Sequence, residues 1–92
     1  MAEPETQYLL LYEYVSDMAQ RRGPHRTPHL ERITAEREAG HIDAAGAFDP
    51  PTGAAIVFTG VDREHVEAFA AGDPYQSAGL ITAWRVERWK LV

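Results

Sequence analysis

Apolar residues near the start of the chain fall on both sides of a single short segment. Residues 7 to 15, QYLLLYEYV, place Tyr8, Leu10, Tyr12 and Tyr14 on one face and Leu9, Leu11 and Val15 on the other. The run is too short for a typical helix and rich in aromatic and branched residues, so it predicts a strand. A strand with apolar groups on both faces needs cover on both.

Residues 16 to 26, SDMAQRRGPHR, are polar and broken by Gly23 and Pro24, which predicts a loop. Thr27-Pro28 then reads as a helix start, with Thr27 as N-cap and Pro28 at the first helical position. This helix is expected to run to about Ala39 and stop at Gly40, with a thin inward stripe of Leu30, Ile33, Thr34 and the stem of Arg37.

Residues 42 to 48 and 54 to 59 flank the turn cluster Asp49-Pro50-Pro51-Thr52-Gly53, the pattern of an antiparallel hairpin. Asp62 can cap a second helix that carries Val66, Phe69 and Ala70 on one face and ends at Gly72. Residues 80 to 91 alternate loosely and read as a last strand. The order β-α-β-β-α-β with right-handed crossovers predicts a ferredoxin-like α+β fold, a four-stranded antiparallel sheet with two helices on one face. The opposite face would stay bare, and a second copy of the chain would cover it, so a homodimer is expected.

Length supports this picture. The 92 residues leave room for one domain, residues 1 to 92, which on its own buries only about 60% of the surface its unfolded chain exposes. Hydrophobic residues at 45% and charged residues at 25% match ordinary globular usage. The 14 acidic against 9 basic side chains give a net charge of -5, which repels phosphate backbones and anionic lipid, so neither nucleic acid nor membrane is an expected partner. Absence of cysteine removes disulfides, thiolate nucleophiles and iron–sulfur clusters, and leaves His, carboxylate, Arg, Tyr and hydroxyl groups for any chemistry. The N-terminal Met1-Ala2-Glu3-Pro4-Glu5 lacks the basic head and apolar run of a signal peptide, and a cytoplasmic location is expected.

Few residues stand out as chemistry. His29, at the second position of the first predicted helix, would feel a helix dipole that favours the neutral ring, as a general acid or base needs. Position alone favours the plainer reading, a partly buried residue at a helix start with a satisfied hydrogen bond. Asp73, between Gly72 and Pro74-Tyr75, has the pattern of a turn or helix cap, or can reach His29 and set its tautomer. Arg26 can hold an anionic or hydroxylated substrate through its forked donors, or belong with Arg21 and Arg22 to a solvated basic loop. Tyr75 and Ser77 can line the same pocket or merely pack the turn, while Trp84 and Trp89 are expected to fill sheet faces or a dimer contact.

His25 and His29 have the four-residue spacing of paired metal ligands, but Gly23, Pro24 and Pro28 are expected to keep His25 outside the helix. His41 and His65 lie far apart in the chain, so no metal site is expected. Phosphate-binding glycine loops and serine-nucleophile motifs are absent from the sequence, and no cofactor is expected.

The strand QYLLLYEYV, the helix start RTPHLERI, the stretch GHIDAAGAF and the segment DPYQSAGLI together resemble the YciI-like (YCII-related) family over nearly the whole chain. The most specific pieces are Arg-x-x-His-Leu at residues 26 to 30 and Asp-Pro-Tyr-x-x-Ala-Gly at residues 73 to 79. The resemblance implies a dimeric α/β-barrel with an active site on a His and an Asp, which map to His29 and Asp73. It further implies lyase-type elimination on hydroxylated, halogenated aromatic rings, and for such a reaction Arg26 and Tyr75 are expected to bind a small polar or aromatic substrate. A non-catalytic small-molecule-binding or regulatory module is the alternative. The loop at residues 49 to 53 is short, and loops beside such pockets set substrate choice.

Overall fold

The computed structural model describes residues 6–92. Strand β1 (Thr6–Tyr14) is followed by the single turn α1 (Met18–Arg21) and the long helix α2 (Gly23–Glu38). The hairpin β2 (Ile42–Ala47) and β3 (Gly53–Phe58) comes next, then α3 (Arg63–Ala71), the single turn α4 (Pro74–Ser77) and β4 (Ile81–Lys90). The strands form one antiparallel sheet in the order β2-β3-β1-β4, the expected ferredoxin-like α+β arrangement.

Two-residue periodicity decides what this sheet buries. On β1, Leu10, Tyr12 and Tyr14 point into the core, and Leu10 lies opposite Ile56 on β3 and Val86 on β4. Phe58, Val66, Phe69 and Ala70 close this layer from the α3 side. Asp62 caps α3 by accepting from the His65 backbone N–H at 2.9 Å, as its place before the apolar run leads one to expect. On the opposite sheet face Leu9, Leu11, Ala55 and Val57 remain half-buried. Gly53 has no room for a side chain, since a β-carbon there would lie 2.2 Å from the Tyr12 carbonyl oxygen.

The first long helix departs from expectation. It begins at Gly23 rather than after Thr27, and Pro28 lies inside it. Pro24 sits in the first turn, where a missing N–H costs no intrahelical bond, so the Gly-Pro pair starts the helix instead of breaking it. His25 is therefore inside the helix, and His29 lies in its second turn, beyond the range at which the N-terminal dipole acts strongly. The inward stripe also differs: only His29 and Ile33 are buried on α2, and Leu30 is 43% exposed. Helix α2 lies over the small side chains of β2, IDAAGA, which cannot fill the space beneath it. Trp84 is half-buried against the core, while Trp89 is exposed. No helix among the described residues is long and apolar enough to cross a membrane.

Candidate active site

The gap under α2 is a cavity of about 370 Å³. Its floor is Ala45, Gly46 and Ala47 of β2 with Ala54 and Ile56 of β3, and its roof is the α2 face carrying His29, Leu30, Ile33 and Thr34. The residues expected to form a thin core stripe thus line an open space. Tyr14 and Tyr75 close one end, and Arg22, Arg26 and Arg37 also reach it. None of these three guanidinium groups is ion-paired to a described carboxylate. In a chain of net charge -5, this is a locally positive pocket suited to an anionic or polyhydroxylated ligand.

Asp73 is placed by local chemistry. Its extended backbone caps α4, Pro74 takes the first position of that turn, and the carboxylate accepts from the Tyr75 backbone N–H at 2.9 Å. The same carboxylate lies 2.9 and 3.0 Å from His29 Nδ1 and accepts from the Tyr12 hydroxyl at 2.8 Å. Capping and pairing with His29 are therefore compatible, because an ionised carboxylate offers about four lone-pair sites. Asp73 is 1% and His29 6% exposed, so this network is closed to water except through the imidazole.

His29 is held on both its edge and its face. Its ring stacks on Tyr75 with centroids 3.9 Å apart and planes 13° from parallel, and Tyr75 meets Tyr14 edge-on at 5.9 Å. An anionic Asp73 can only accept, so Nδ1 carries the hydrogen between them. Nε2 then bears the lone pair, and no described protein group is bonded to it on a ring that lines the cavity. The Tyr14 and Tyr75 hydroxyls likewise have no hydrogen-bond partner among the described residues.

Electrostatics keep the surrounding phenols protonated. Burial, then the charge of Asp73 and its hydrogen bond, pushes the Tyr12 phenol far above its ordinary value. Burial followed by Tyr75 and Asp73 does the same for Tyr14, against a smaller opposing pull from Arg22. Tyr75 is raised by burial, with Arg22 and Arg26 pulling the other way. Neutral phenols beside a carboxylate are hydrogen-bond donors, so Tyr12 supports Asp73 rather than competing with it as a second anion.

Of the residues singled out in the sequence, His29, Asp73, Arg26 and Tyr75 all converge on this one region. Ser77 does not, and its hydroxyl donates to the Pro74 carbonyl at 3.1 Å. The sequence reading missed Tyr12, Tyr14, Arg22 and Arg37. Only Tyr12 and Tyr14 carried a signal, since inward tyrosines on a central strand must find partners for their hydroxyls. His41 and His65, distant in sequence, meet at Glu36 on a separate part of the molecule.

A family model for the YCII-related domain matches residues 6–90. No curated protein sequence matches the chain. Among solved structures, the chain is similar to the 5-chloro-2-hydroxyhydroquinone dehydrochlorinase TftG from Burkholderia phenoliruptrix AC1100, in complex with 2,5-dihydroxybenzoquinone. The two superpose with a TM-score of 0.78 at 25% identity, over 91% of this chain and 93% of that one.

Proposed function

The chain belongs to the YCII-related family, and from that premise we propose that it is an enzyme of lyase-type elimination acting on a small hydroxylated, halogenated aromatic. One observation carries the reading. His29 Nδ1 lies 2.9 Å from a buried carboxylate, while no described group is bonded to the other nitrogen of this ring, which lines a cavity reached by unpaired arginines. In this reading His29 is the proton carrier, Asp73 fixes its tautomer and balances the charge it gains, and Arg26 and Tyr75 hold the substrate oxygens, aided by Arg22 and Arg37.

The chemistry needs only side chains. In a chlorinated hydroxyhydroquinone, such as that in the name of the similar dehydrochlorinase, a hydroxyl proton moves to the chlorine-bearing carbon and gives the ketone tautomer. His29 Nε2 then takes the proton of a second hydroxyl conjugated to that carbon. Its O–H pair becomes a C=O bond, the ring double bond shifts, and chloride leaves with the C–Cl pair. The substrate loses one proton and one chloride and becomes a quinone, without an external oxidant. Arginine donors lower the cost of the phenolate that forms during this step.

The half-buried face of Leu9, Leu11, Ala55 and Val57 fits a homodimer in which a second copy covers the sheet. The function is tested by following chloride release and quinone absorbance with 5-chloro-2-hydroxyhydroquinone, alongside binding of 2,5-dihydroxybenzoquinone. The wild type should turn over, and folded His29→Ala should lose about a hundredfold or more in kcat. Saturable quinone binding without turnover across a panel of halogenated hydroxyaromatics would instead identify a binding module.

A further inference from the structure

Two turns beyond His29, about 10 Å along the axis of α2, a second group of titratable side chains gathers. Glu36 lies near the C-terminal end of α2, His41 immediately precedes β2, and His65 stands in the first turns of α3. His41 Nδ1 is 3.1 Å from Glu36 Oε2, and His65 Nε2 is hydrogen-bonded to Glu36 Oε1. The two rings meet edge to face with centroids 4.9 Å apart, and one ligand atom from each of the three residues lies within 4.8 Å of the others. We propose that Glu36, His41 and His65 form a zinc site, with two imidazole nitrogens and one carboxylate as protein ligands and a water in the fourth position.

The backbone prepares this arrangement. Gly40 adopts a φ of 82°, a left-handed turn that brings the chain back so that the His41 N–H donates to the Glu36 carbonyl at 2.9 Å. Asp62 holds the His65 backbone through its cap, and the His65 ring rests edge-on against Phe58 at 6.3 Å. Ligand positions fixed in this way need little rearrangement when an ion arrives.

Chemistry and spacing both suit zinc. Bonds of about 2.0 Å in a tetrahedron put neighbouring ligand atoms about 3.3 Å apart, close to the 3.1 Å between His41 and Glu36. Side-chain exposures of 32% for His41, 36% for His65 and 19% for Glu36 leave a path for the ion and room for a water. An ion here would join α2, the start of β2 and α3 by direct bonds, and so brace the helix that carries His29.

The test uses the whole chain, stripped of metal and titrated with zinc chloride by calorimetry and with cobalt chloride by visible absorption. The expected result is one ion per chain, a cobalt spectrum of four-coordinate intensity, and a melting temperature that rises with zinc. His41→Gln and His65→Gln, which keep a hydrogen-bonding side chain of similar reach, should each weaken binding at least about tenfold. His29→Gln should leave it unchanged. Substoichiometric zinc added to the wild type should also shift the ring resonances of His41 and His65, a readout that needs no variant to fold. No saturable binding, absence of those shifts, or affinity lost in His29→Gln but kept in the other two variants would overturn the assignment.

Discussion

Replacing Asp73 by Asn changes one atom type and should release the tautomer of His29 from its single state. The carboxylate accepts from His29 Nδ1 at 2.9 and 3.0 Å, from the Tyr12 hydroxyl at 2.8 Å and from the Tyr75 backbone N–H at 2.9 Å. An amide keeps one acceptor oxygen, which the fixed Tyr75 N–H retains. That oxygen also lies 2.9 Å from His29 Nδ1, whereas the NH₂ group replacing Oδ2 faces Tyr12, sits 3.0 Å from the same Nδ1 and can only donate. Tyr12 can rotate its hydroxyl to accept. The imidazole can keep Nδ1–H against the shared oxygen or move its hydrogen to Nε2 and accept from the NH₂ group, so the single tautomer that the carboxylate enforces gives way to a mixture. Exchanging hydrogen bonds to a charge, about 1.5–3 kcal/mol each, for neutral ones of about 0.5–1.5 costs roughly 1 kcal/mol per bond. The three donors therefore put the loss at about 2–4 kcal/mol, against about 5–14 for a 92-residue chain, and the variant should fold with a lower Tm. Long-range nitrogen–proton NMR on the neutral ring reads the tautomer directly, with Nδ1–H expected in the wild type and a substantial Nε2–H fraction in Asp73→Asn. Turnover in the chloride assay should fall on the order of 10⁴-fold, as when other carboxylate–histidine pairs are changed in this way. An Nδ1–H population as complete in the variant as in the wild type, or turnover within tenfold of wild type, would refute the reasoning.

Two further outcomes follow from burial. Because the Tyr12 and Tyr14 phenols are raised above their ordinary 10.0, the unfolded chain gives up protons above about pH 10 that the folded chain keeps. The folded state then binds more protons, so stability declines as pH rises, by about 1.4 kcal/mol per pH unit for each phenol. Urea midpoints through this range should fall less steeply in Tyr12→Phe than in wild type, and equal slopes would contradict the assignment. Ala54→Leu places a larger apolar group at a buried position on the cavity floor. It should cost no more than about 1–3 kcal/mol of stability yet weaken 2,5-dihydroxybenzoquinone binding at least about tenfold, measured by melting and by calorimetry. Unchanged binding would place the ligand elsewhere.

Much of the fold was legible because its signals are local. Alternation in QYLLLYEYV, the Asp-Pro-Pro-Thr-Gly turn cluster and the Asp62 cap each act within a few residues, and each produced the expected element. The start of α2 was misread for an equally local reason. Gly23-Pro24 is compatible with a loop or with a first helical turn, and sequence does not distinguish them. The stripe on α2 was misassigned because helical period tells which residues share a face, not whether the strands opposite are large enough to meet them.

The site divides along the same line. By itself the sequence determined the strands and hairpin, the helix with its cap, and, through two short motifs, the family and the pair His29 and Asp73. Only the tertiary structure decided that Tyr12 completes that pair from 61 residues away, that Arg22 and Arg37 join Arg26 around a cavity, and that Glu36 meets both His41 and His65. Sheet register and the seating of helices over small side chains set those distances. Such packing joins residues remote in the chain, whereas periodicity and capping report only on near neighbours.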